Sequence, residues 1–133
     1  MKKQLNDIVI YIPLLKKKIE KIAIKHDING EVLILEMLRF LNLIHLTNEK
    51  LSPSLIVDLA WHEFILFTRH YHEFCKTHFG RFIHHTPSEG SDHTIYKKTI
   101  ELYIKHYGKP SEIIWGSHAT NIWAASDCGA CHN

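Results

Sequence analysis

The stretch "EVLILEMLRFLNLIHL", residues 31–46, constrains this chain more than any other. Val32, Leu33, Ile34, Leu35, Met37, Leu38, Phe40, Leu41, Leu43, Ile44 and Leu46 leave it no broad polar face. A helix that is apolar on nearly all sides is stable only when buried. The rest of the chain is therefore expected to pack around it. Its polar positions Glu36, Arg39, Asn42 and His45 step by three and form one narrow stripe. That stripe reads either as a solvent seam or as the wall of a polar site. At 133 residues the chain suits a single domain spanning 1–133, with a core that needs no staples.

Within residues 1–30, Leu5, Ile8, Ile12, Leu15, Ile19 and Ile22 recur at three- and four-residue steps, one apolar face of a helix. Pro13 kinks that helix or starts its main part. The β-branched run of residues 8–12 leaves a strand open there. Asn29-Gly30 is a break. Ser52-Pro53 is a helix start, a hydroxyl cap followed by proline. From there the pattern runs unbroken to Phe79, and Gly80 suits the position just past a helix end. Residues 81–85 read as extended and 87–90 as a loop. Ser91 caps a helix that runs to Tyr107 and is stopped by Gly108 and Pro110, and Ser111 opens a short helix containing Trp115. Residues 124–133 read as a flexible, small and polar Cys/His tail. The expectation is an all-α domain of about five helices around one long helix, with a short extended segment after Gly80.

A formal net charge of +2 does not favour nucleic acid, and the run Lys16-Lys17-Lys18 reads as a solvated helix face. The N-terminus imitates a signal peptide, with Lys2 and Lys3 before an apolar run. Asn6 and Asp7 interrupt it, Pro13 follows, and no small-residue cleavage site appears. It reads as a mature N-terminus. No stretch approaches the roughly 18 apolar residues of a membrane span. A cytoplasmic protein without membrane contact is expected, with its three cysteines as thiols or ligands rather than disulfides.

Histidine is the unusual component, at 12 residues. His62, His70, His72, His78, His84 and His85 all fall between residues 57 and 87. On a helix, Asp58 and His62 lie one turn apart on one face. That spacing suits two ligands of one ion, or a carboxylate orienting a ligating imidazole. His72, Cys75 and His78 are also three-residue neighbours. Thirteen residues separate His62 from Cys75, roughly 20 Å on a continuous helix, so they form two half-sites rather than one. After Gly80 the chain can return towards His62. Alternation along an extended run sends His84 and His85 to opposite sides, so only one of them joins the site. The plainer readings stand beside this one. His26, His45, His70, His78, His106 and His118 read as ordinary surface histidines, Trp61, Phe64, Ile65 and Phe79 as core, and Cys75 alone as a small buried hydrophobe.

The tail is a separate signal. Cys128-x-x-Cys131-His132 matches c-type haem attachment, but that chemistry follows export. A thioredoxin-like role lacks its βαβ context. Two thiolates joining imidazoles around zinc is the better use.

Asp58, Trp61-His62, Tyr71, Cys75, Gly80 and His84-His85-x-Pro87 together resemble the glycine-rich-domain-containing protein-like family, in its short bacterial form. "RFLNL" (39–43), Pro53-Ser54 and "YIKHYGKPSEIIW" (103–115) extend the resemblance over residues 31–133. The tail departs from it, because only CGACHN stands where relatives carry a Gly- and Cys-rich extension. The resemblance points to Asp58, His62, Cys75 and His85 as the polar motif residues and implies that His62 and His85 act together.

The leading expectation is a metal-binding helical protein. Its candidate ligands are Asp58, His62, Cys75, His84, His85, Cys128, Cys131 and His132. Zinc or iron would drive hydrolysis or oxidation of a small-molecule or peptide substrate. The alternatives are a non-catalytic protein–protein interaction module in which Trp61-His62 is a packing device, and a metal-free thiol enzyme using Cys75 or the CxxC pair.

Overall fold

The fold grows outward from the apolar run of residues 31–46, which is a helix in the computed structural model. The structure describes residues 1–85 and 93–131, the last five of them as backbone. Eight helices are present among these: α1 (Lys2–Tyr11), α2 (Pro13–Lys25), α3 (Gly30–Thr47), α4 (Leu55–Leu66), α5 (Thr68–Phe79), α6 (His93–Tyr107), α7 (Glu112–Trp115) and α8 (Ser117–Cys131). The all-α expectation stands, but the arrangement of five helices around one long helix does not. No strand occurs among the described residues.

α3 starts where its sequence says it should. The Asn29 side chain accepts hydrogen bonds from the amides of Glu31 (2.9 Å) and Val32 (3.2 Å), which satisfies two otherwise unpaired N–H groups. Leu33, Ile34, Met37, Leu38, Phe40, Leu41 and Leu43 are fully buried. Burying a large apolar side chain is worth about 1.5–3 kcal/mol, so this helix organises the core. α1, α2, α4 and α6 all pack on it. Gly30 allows α2 to come close, because a Cβ there would lie 2.5 Å from Glu20 Cγ.

The N-terminal pattern is two helices. Pro13 is the first residue of α2, where its missing N–H costs nothing. The preceding residue, Ile12, leaves the helical region at φ −131°, and its amide still bonds Ile8 O at 2.9 Å. The strand alternative for residues 8–12 is thereby overturned.

The expected long helix over residues 53–79 breaks at Phe67, with φ −84° and ψ 66°. No glycine or proline marks the break. The Phe67 amide turns back to Phe64 O (3.0 Å), and Phe67 O then accepts from the Tyr71 amide (2.8 Å) and begins α5. The break re-aims the apolar face, so that Tyr71, Phe74, Cys75 and Phe79 of α5 stay on the core. The start of α4 also lies two residues later than read. Ser54, not Ser52, is the cap, and its hydroxyl accepts from the Val57 amide at 3.2 Å. Gly80 ends α5 at φ 68°, as expected of a glycine just past a helix. α8 carries helical backbone to Cys131, through residues read as a tail. The proposed Ser91 cap and the 87–90 loop lie outside the described residues.

Candidate functional site

The site is built where the chain returns across α4. Asp58 lies in the first turn of α4, where a carboxylate meets the positive end of the helix. One turn on, Trp61 points inward, 4% exposed, with its ring edge-to-face against Phe40 at 5.5 Å. Its indole N–H donates to the Tyr71 hydroxyl (3.0 Å), which donates in turn to Ile83 O (2.5 Å). This relay pins the segment that follows Gly80. Two residues beyond Ile83, the His85 ring lies over Trp61, with centroids 4.5 Å apart. His85 Nε2 is 2.5 Å from Asp58 Oδ1. His62 is exposed and stands edge-on to His85 at 6.3 Å between centroids. His84 turns away, exposed, with its ring against Phe82 at 4.6 Å.

Asp58, His62 and His85 are therefore brought together, and His84 and Cys75 are not among them. Cys75 is fully buried in the core beside Tyr71. Burial pushes its thiol up, against the smaller opposing influence of the Ile83 backbone, the Tyr71 side chain and Arg81. Such a thiol is a poor nucleophile. The side chains of Cys128 and Cys131, and all of His132, lie outside the described residues.

The metal-binding expectation is corrected here. Among the described residues no group of three or more His, Cys, Asp or Glu side chains is arranged to hold a metal ion. The physical reason lies in the pairing. The Asp58 carboxylate is taken up by the His85 ring nitrogen instead of turning with His62 towards a common point. What remains is a carboxylate–imidazole pair, with Asp58 39% and His85 17% exposed at the side chain. If Nε2–H donates to Asp58, the geometry assigns the free lone pair of His85 to Nδ1.

A second polar cluster was only half legible. Glu36 is not on a solvent seam. It is 4% exposed and accepts from the Tyr103 hydroxyl through both carboxylate oxygens and from Trp115 Nε1 at 3.3 Å. Arg39 donates to the same Tyr103 hydroxyl at 2.8 Å and sits 3.6 Å from Glu36. Its guanidinium also lies over the Tyr107 ring, 5.2 Å from the centroid. Burial works against the Arg39 charge, but Tyr103, Glu36 and Tyr107 outweigh it and raise its pKa. Asn42, the next polar position, exchanges hydrogen bonds with Gln4 of α1 (2.7 and 3.2 Å). The three-residue polar stepping along α3 was the signal. The partners on α1, α6 and α7 were not visible from it.

No described helix is long and apolar enough to cross a membrane. No curated relative and no solved structure matches the chain. One family model does match, over residues 2–117, and its description is UCP032817-like, an uncharacterised family. No glycine-rich-domain family is found, so that resemblance is overturned. The match takes in the N-terminal helices that the resemblance left out and stops short of the Cys/His tail. Covering most of the chain, it establishes that this protein belongs to the UCP032817-like family.

Proposed function

We propose that the protein is a proton-transfer catalyst whose general base is His85, held in one tautomer by Asp58. The observation that carries this reading is the 2.5 Å approach of His85 Nε2 to Asp58 Oδ1, beside the tilted Trp61 ring. A carboxylate that fixes an imidazole through one nitrogen leaves the other as a directed base and stabilises the imidazolium once the proton arrives. Trp61 packs against the ring at a 58° tilt, and the Tyr71–Ile83 bond holds the backbone that carries it. His62 supplies a second exposed imidazole on the same side. The substrate class that suits an open site of this kind is a small molecule with an acidic C–H, N–H or O–H.

A direct probe is 5-nitrobenzisoxazole. Its C3 proton passes to the base, the electron pair forms the nitrile as the N–O bond breaks, and the phenolate is read by absorbance. Positioned general bases contribute about 10²–10⁴-fold, so wild type should exceed His85→Gln by at least about tenfold. Asp58→Asn should fall with it. Equal rates for wild type and His85→Gln sink the reading. So does an NMR assignment that places the neutral-form proton of His85 on Nδ1.

A further inference from the structure

The buried cluster around Glu36 holds a phenol that the proton-transfer reading leaves unused. Tyr103 is 1% exposed, and its hydroxyl lies within hydrogen-bond reach of both Glu36 carboxylate oxygens, Oε2 at 2.7 Å. The other packed phenols have poorer proton acceptors. Tyr71, Tyr96 and Tyr107 donate to the main-chain oxygens of Ile83, Trp115 and Arg39. A peptide carbonyl accepts a hydrogen bond but does not keep the proton, whereas a carboxylate can take it and become a neutral acid.

That difference matters if the ring loses an electron. Burial, reinforced by Glu36, raises the Tyr103 pKa well above its ordinary value, so the phenol is neutral at physiological pH. Removing one electron alone would leave a radical cation in the core, and an isolated buried charge is costly. Transfer of the proton to Glu36 avoids it. The charges then fall in the right places. The ring is a neutral radical, Glu36 is a neutral acid, and the net positive charge stays on Arg39, whose side chain is 31% exposed. Arg39 keeps its 2.8 Å hydrogen bond to the Tyr103 oxygen and its place over the Tyr107 ring, 5.2 Å from the centroid.

The ring also has neighbours through which an electron can leave. Tyr107 and Trp115 lie 5.3 and 5.2 Å from it between centroids, both in aromatic contact. From Trp115 the contacts continue through Phe40 (6.4 Å) to Trp61 (5.5 Å) and His85 (4.5 Å). Trp115 Nε1 reaches Glu36 as well, but at 3.3 Å it is held less closely than the phenol.

We infer that Tyr103 is a redox-active tyrosine, oxidised to a neutral tyrosyl radical while its proton passes to Glu36. The co-reactant is a one-electron oxidant, which gains the electron through Tyr107 or Trp115. The O–H bond of Tyr103 breaks and an O–H bond forms on Glu36. A one-electron reductant reverses the step, and Glu36 returns the proton. The inference goes beyond the proton-transfer reading of His85 and does not rest on it.

The test uses the full chain with 3-fluorotyrosine incorporated in place of Tyr103, which keeps the hydroxyl and the packing. Photogenerated tris(bipyridine)ruthenium(III) serves as oxidant, with pentaamminechlorocobalt(III) as the final electron acceptor. Electron paramagnetic resonance of the freeze-trapped sample should show a persistent radical with a fluorine splitting that the unlabelled protein lacks. The infrared difference spectrum should gain a carboxylic-acid carbonyl band with the radical, and that band should shift when glutamate is isotope-labelled. Glu36→Gln should lose both the band and the fluorine-split signal. The first two measurements keep the native residue at position 36, so they decide the matter even where Glu36→Gln fails to fold. No persistent radical, a radical without the fluorine splitting, or the splitting without the carbonyl band overturns the proposal. So does a folded Glu36→Gln variant that retains both signals.

Discussion

The Tyr71 hydroxyl stands between the core and the site, accepting from Trp61 Nε1 at 3.0 Å and donating to Ile83 O at 2.5 Å. Both partners are buried, so neither has water as an alternative. Tyr71→Phe should therefore cost about 1–3 kcal/mol in urea unfolding, the range for leaving buried polar groups unpaired. It should also loosen the segment that carries His85. Amide exchange at residues 83–85 faster than in wild type would show this, and unchanged exchange there would separate the relay from the site.

Tyr103→Phe removes the hydroxyl that both carboxylate oxygens of Glu36 share with Arg39. Glu36 would keep Trp115 Nε1 and the 3.6 Å approach of Arg39 in a nearly closed environment. Hydrogen bonds to charged groups contribute about 1.5–3 kcal/mol, so a loss of that size is expected in chemical denaturation. In a Glu36→Gln background the same change should cost less, because no buried charge is left short of donors. Equal costs in both backgrounds would mean that the hydroxyl serves packing alone.

Alkaline stability has a definite sign. Burial raises the pKa of Tyr71 and Tyr103 far above the ordinary value near 10, and pushes Tyr96 up to about 12. These phenols ionise more readily in the unfolded chain than in the folded one. Their contribution is complete below about pH 10 and is lost as pH rises towards the folded values. The urea midpoint should fall steeply above about pH 10. Phenolate absorbance at 295 nm from the buried rings should rise with unfolding rather than before it. A midpoint flat to pH 11.5 would contradict the burial of these rings.

Cys75 is fully buried and its thiol is pushed up by burial. Alkylation with iodoacetamide at pH 8, mapped by mass spectrometry, should leave it unmodified in the folded protein and label it in urea. Native labelling at the rate of a free peptide thiol would revive the thiol-enzyme reading set aside here.

Gly30→Ala should destabilise despite alanine's better helix propensity. The new methyl would meet Glu20 Cγ at 2.5 Å and Glu20 Cα at 3.3 Å. Overpacking of this kind costs about 1–3 kcal/mol. Combining it with Glu20→Ala removes the nearer atom, so a double-mutant cycle should recover part of the loss.

Local rules were legible from the residues. The burial of α3 follows from its unbroken apolar run. The break at Asn29-Gly30, the interruption at Pro13 and the end at Gly80 follow from what each residue does to its own backbone, whereas the cap that Asn29 supplies to α3 was not read. The expectation that only one of His84 and His85 joins Asp58 and His62 is of the same local kind. Two features were decided only by packing between distant elements. The helix break at Phe67 carries no glycine or proline, and it arises because α4 and α5 each need their apolar face on the same core. The partner of Asp58 is the other. Spacing alone offers His62, one turn along the same helix. The carboxylate bonds His85 instead, 27 residues away, because the Trp61–Tyr71–Ile83 relay delivers that ring to it. Periodicity reports which residues share a face. It carries no information about which side chain a folded neighbour will place within hydrogen-bond reach, and that choice defines this site.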